Sequence, residues 1–211
     1  MAQLTWLERA LADSVRERPN AWRVVYMHHP IYTTISNHCE RPDVTDVRDN
    51  MTALLKDRVH LLICGHSHTL EWFRSEAFPN MGIFVTGGGG QISLRPSLLD
   101  PRRIGRHPDR YEALRRSGVA ECAMGGHGPA ASDGESGPIY HYLRFEVTPD
   151  AIVVHPVGVR RLASGSFRRE EPMPVYHAGE LPPGKPPWKP RRLEAVEIRR
   201  DQPPRARWQE R

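Results

Sequence analysis

The chain has 211 residues, of which 38% are hydrophobic and 26% charged, and a net charge of +5. That length suits one domain with a tail, and the apolar content is enough for a core. No run approaches the roughly eighteen apolar residues of a membrane-spanning helix. The start "MAQLTWLERALADS" lacks the basic and apolar regions of a signal peptide, so no compartment is assigned.

The charge is local. Residues 185–211 carry nine Lys and Arg against four acidic residues, so the whole excess lies in the tail. Three cysteines, Cys39, Cys64 and Cys122, form neither a C-x-x-C pair nor a disulfide framework.

Leu4, Leu7 and Leu11 recur at helical spacing, which predicts an amphipathic helix ended by Pro19-Asn20. "WRVVYM" (22–27) reads as a buried strand, and the bracketed stretch from His28 to Pro42 as a loop. Asp43 then reads as the N-cap of a helix with the stripe Val44, Val47, Met51, Leu54 and Leu55. "VHLLIC" (59–64) is a second buried strand. "TLEWFR" and "MGIFVT" read as a hairpin, cut off by Gly87 to Gly90, where only backbone can turn or approach something closely.

Residues 95–137 are polar and rich in glycine and proline, with one short helix near 108–116. "IYHYLRFEVTPDAIVVHPVGV" reads as two strands around Thr148-Pro149-Asp150. Beyond about residue 170 the proline content climbs, and "LPPGKPPWKPRR" reads as an extended or disordered tail. The order predicts α/β layering in the first half and an antiparallel sheet in the second.

Eleven histidines are present, and placement decides which matter. His28-His29-Pro30 follows the strand 22–27, and Gly65-His66-Ser67-His68 follows the strand 59–64. Ligands bind at the carboxyl ends of strands in α/β sheets. Two parallel strands joined by a crossover helix bring such loops together. Neutral imidazoles there suit Zn, Fe, Ni or Cu. On H-x-H alone a polar turn with exposed histidines is the better reading, and the matched placement reverses it.

"WRVVYMHHPIY" followed by "LLICGHSH" resembles the last two metal-binding motifs of calcineurin-like metallophosphoesterases, in their purple acid phosphatase branch. The helix "QLTWLERAL" and the run "FVTGGGG" extend the resemblance over residues 3–95, and more loosely to 139–159. It implies a hydrolase of phosphate esters with two metal ions (Fe, Zn or Mn) in the complete enzyme. His28 and His66 would be ligands of one ion and His68 of the other, with His29 outside the ligand set. His38, ten residues after His28, would contact the phosphate or the leaving group.

The branch places its remaining motifs, D-x-H, G-D-x-x-D and G-N-H-D/E, before the first of these two. The 27 residues preceding His28 contain none of them, and "SDGES" (132–136) does not substitute. Three neutral imidazoles suit one Zn with water as fourth ligand. They do not balance two adjacent dications without carboxylates between them.

The resemblance therefore implies the C-terminal part of a four-layer αββα sandwich, an α/β (α+β) fold. Residues 1–175 would form the domain portion and residues 176–211 a disordered Pro/Arg-rich tail. The expected partners are a phosphate-ester substrate and a chain or segment supplying the missing half. The alternatives are an inactive fragment or half of a two-chain assembly. A third is a nucleic-acid binder that uses Trp188 and Trp208 among the tail arginines.

Overall fold

The computed structural model describes residues 2–35, 41–90, 108–125, 139–162, 164–179 and 189–209. Among these the architecture is a mixed, sheet-dominated α+β fold. Eleven strands form one sheet in the order β1-β2-β4-β3-β5-β9-β10-β7-β6, with β11 on β10 and β8 on β7. No helix is long and apolar enough to cross a membrane.

Helix α1 (Ala2–Glu17) turns Leu4, Leu7 and Leu11 inward, as its leucine spacing predicts, and leaves Trp6 exposed. Strand β1 (Val24–Met27) leads to helix α2 (Pro42–Leu55), which packs Val44, Met51 and Leu55 into the core. Proline at the start of α2 supplies the fixed φ of a first helical turn. Strand β2 (Leu61–Cys64) then pairs parallel to β1, from Val24 opposite Leu61 to Met27 opposite Cys64. Strands β3 (Leu70–Ser75) and β4 (Gly82–Thr86) form the expected antiparallel pair, and β4 also runs parallel to β2.

Helix α3 (Pro108–Arg116) leads into β5 (Val119–Gly125). The hairpin of β6 (Ile139–Val147) and β7 (Ile152–Arg161) lies where its alternation and turn place it. Strands β8 (Phe167–Glu170), β9 (Met173–Ala178), β10 (Lys189–Arg199) and β11 (Gln202–Trp208) complete the sheet.

Alternating residues along the central strands feed two cores. Leu62, Cys64, Phe73, Ile83, Val85, Cys122 and Met124 face the helices. Leu61, Trp72, Phe84 and Ala123 face the other way, onto Ile152, Val154, Leu193, Val196 and Ile198. The sheet folds over itself, and a Cβ on Gly82 of β4 would lie 2.4 Å from Ile198 Cδ1 of β10. The result is a helix layer, a sheet layer and a second sheet layer, with period-two alternation assigning each strand residue its side.

Two expectations are corrected. The described residues of the expected tail, 176–179 and 189–209, are not disordered. Strand β9 crosses the boundary drawn at residue 175, and β10 and β11 belong to the sheet. Leu193, Ala195, Val196 and Ile198 are buried, and the register against β11 shifts between Leu193 and Ala195 and again between Glu197 and Arg199. Proline density misleads here because Pro203 and Pro204 lie on β11, which among the described residues pairs only with β10, and an edge strand can forgo ladder donors. Trp208 stacks on His177 at 4.1 Å between ring centroids and under Arg191 at 4.4 Å, so its faces are engaged within the fold. Strand β1 is also not buried: among the described residues it pairs only with β2, and Val24 and Tyr26 are 43% and 83% exposed.

Candidate metal centre

Strands β1 and β2 end in register, so the residues after Met27 and Cys64 emerge side by side. The Gly65 amide donates to the carbonyls of Met27 and His28, at 3.3 and 3.0 Å. These bonds lace the two loops together at their first residues. The next amides double back, Ser67 donating to Gly65 O at 2.7 Å and Thr69 to Ser67 O at 2.8 Å. His66 holds a left-handed φ of 65°, a conformation uncommon outside glycine and enriched at functional sites.

One ring nitrogen from each of His28, His29 and His66 lies within 4.8 Å of the others. His28 Nε2 and His66 Nδ1 are 3.3 Å apart. Zn–N bonds of about 2.0–2.1 Å at tetrahedral angles separate two nitrogens by about 3.3–3.4 Å, so the pair is spaced for one ion. Burial, with His29 next in effect, holds His66 below the usual imidazole range despite the opposing pull of Asp43. The neutral ring that results is the form that ligates.

Of the sequence-expected residues, the structure brings His28 and His66 together. His68 is half-buried and is not in the cluster of three. His38 lies outside the described residues. Two neighbours were not expected. His29, set outside the ligand group by the family pattern, stacks 4.6 Å from His66 between centroids. Asp43 places Oδ2 3.2 Å from His66 Nε2. It does not cap α2, whose N-cap is Arg41; it sits in the first turn with its carboxylate toward His66 and Arg41. The available signal was the crossover itself, which starts α2 near the strand ends that carry the imidazoles.

The glycine run makes close approaches, as expected. A Cβ on Gly87 would lie 2.4 Å from Ser67 O, and one on Gly88 2.3 Å from the His141 ring. Ser67 O is backbone and has little room to yield, so Gly87→Ala must displace the turn between His66 and His68. We expect it to lower stability by about 1–3 kcal/mol in thermal melts.

No family model matches the chain. It is 31% identical over 124 residues to tartrate-resistant acid phosphatase type 5 of Oryctolagus cuniculus, covering 59% of this chain and 33% of that protein. It is 29% identical over 106 residues to probable purple acid phosphatase 20 of Arabidopsis thaliana, covering 47% of this chain and 25% of that protein. Purple acid phosphatase PPD1 from seeds of yellow lupin (Lupinus luteus) matches structurally, with a TM-score of 0.47 and 14% identity, over 80% of this chain and 27% of that one. The chain thus spans a third or less of the curated relatives it matches. These matches support a calcineurin-like, purple acid phosphatase-like relationship, as the motifs suggest.

The clustered donors among the described residues are enough for one metal ion. The described residues bring together three imidazole nitrogens, with the Asp43 carboxylate against one of them.

Proposed function

We propose that this chain is the imidazole-bearing portion of a metal-dependent hydrolase of phosphate esters. The observation that carries the reading is the convergence of His28, His29 and His66 at the ends of two parallel strands, in a chain similar in sequence to acid phosphatases. His28 and His66 would hold the ion, with His29 completing the cluster and Asp43 orienting His66. A bound ion supplies Lewis acidity and an acidified water there. In the assembled centre His68 would hold a second ion and His38 would contact the phosphate or protonate the leaving group.

A second reading gives the chain half of a centre. Its support is chemical: the described residues place one carboxylate, Asp43, against the cluster, whereas two adjacent dications need several. Among the described residues strand β1 has no partner on the edge away from β2, with Tyr26 and Val24 exposed, and a segment bringing carboxylates would add there as a strand.

The test is residues 1–211 with added Zn, Fe or Mn and p-nitrophenyl phosphate. Turnover that disappears in His66→Ala supports hydrolysis by the chain itself. Bound metal without turnover supports the half-centre, and absence of bound metal overturns both readings.

A further inference from the structure

Glu71 lies on β3, three residues beyond His68, and is 0% exposed. No lysine, arginine or histidine among the described residues pairs with it; three donors meet it instead. Thr33 Oγ1 donates to Oε2 at 2.8 Å, and Thr34 gives its amide at 2.7 Å and its hydroxyl at 2.5 Å to Oε1. Both threonines belong to the loop that begins at His28. A buried carboxylate without a cation is costly, and burial pushes this carboxyl up to about 7 against those donors.

The hydrogen bonds have a direction. The Thr33 hydroxyl has one proton, which goes to Glu71. Ser67 Oγ lies 2.9 Å from Thr33 Oγ1, and with Glu71 ionised Ser67 is the donor of that pair. The Ile35 amide also donates to Thr33 Oγ1, at 3.2 Å. Ser67 is the residue between His66 and His68. One carboxylate thus holds the loop after His28 directly and the turn carrying His66 through a single hydroxyl.

We propose that Glu71 is a positioning residue: with Thr33 as its link it clamps the two histidine loops together and sets the spacing between His28 and His66. The inference rests on the metal-centre reading for its purpose, and on the hydrogen bonds alone for its geometry.

The test uses the full chain with Thr33→Val, which keeps Glu71 but removes the link, and Thr33→Ser, which restores it. Two readouts are taken. One is the nuclear Overhauser contact between the His28 and His66 rings in metal-free protein, whose centroids lie 5.2 Å apart. The other is Co2+ affinity from visible absorbance. Thr33→Val is expected to lose the ring contact and to bind Co2+ about 10–100-fold more weakly, with Thr33→Ser matching the parent. If Thr33→Val fails to fold, Ser67→Ala breaks the same link from its other end. A folded link variant that keeps the ring contact, with Co2+ affinity within about twofold of the parent, overturns the clamp and leaves the metal reading intact. A parent that takes no Co2+ while the link variant still loses the ring contact overturns the metal reading and leaves the clamp.

Discussion

Purified chain is expected to take up one divalent ion, not two, and His66→Ala to lose it. Metal analysis after dialysis against Zn2+ gives the stoichiometry, and competition with a chromophoric chelator gives the affinity. The 3.3 Å between His28 Nε2 and His66 Nδ1 matches the edge of a tetrahedron around one Zn. A second dication about 4 Å away would meet a repulsion on the order of 16 kcal/mol at an effective dielectric of 20. Among the described residues Asp43 is the one carboxylate placed against the cluster to offset it. Removing His66 takes away the ring that touches His28, His29 and Asp43 together. The loss is expected to exceed the roughly 10–100-fold that changes to outer-shell groups cost. His68→Ala is expected to leave this one ion in place, because His68 stands outside the cluster. Two ions per chain would show that the described residues misstate the donor set.

Deleting residues 181–211 is expected to abolish cooperative unfolding. It removes β10 and β11, and with them Leu193, Val196 and Ile198 from the core that contains Trp72 and Phe84. Burying each such side chain stabilises by about 1.5–3 kcal/mol, so three of them approach the whole 5–15 kcal/mol that holds a typical domain together. The deletion also strips β9 and β7 of a paired neighbour and opens the Gly82 contact with Ile198. Circular dichroism melts and binding of an apolar dye report the loss. A truncated chain that melts as sharply as the parent would show that the second sheet layer adds little. Loss of heparin retention on this deletion cannot be read as loss of a binding arm, since Trp208 already stacks within the fold.

Local pattern carried the first half of the chain. Leucine spacing set α1, two apolar runs set β1 and β2, and the valine and leucine stripe set α2, because period 3.6 and period 2 are written in consecutive residues. The hairpins β3–β4 and β6–β7 were legible for the same reason, as was a close backbone approach at Gly87 and Gly88. Sequence misjudged β1 as buried, because apolar composition does not tell an edge strand from a central one. It misjudged residues 189–208 because proline and arginine mark a tail in isolation. A strand may carry both where one edge is free and a bulge shifts its phase.

By itself, then, the sequence determined where imidazoles follow strands and which strand pair could bring them together. Tertiary structure alone decided that His29 and Asp43 join His66 while His68 stands apart. It alone showed Glu71 as a buried carboxylate holding Thr33 and Thr34. These are contacts between residues tens of positions apart, fixed by strand register and by the side from which α2 crosses over, and neither quantity is encoded in any short run of residues.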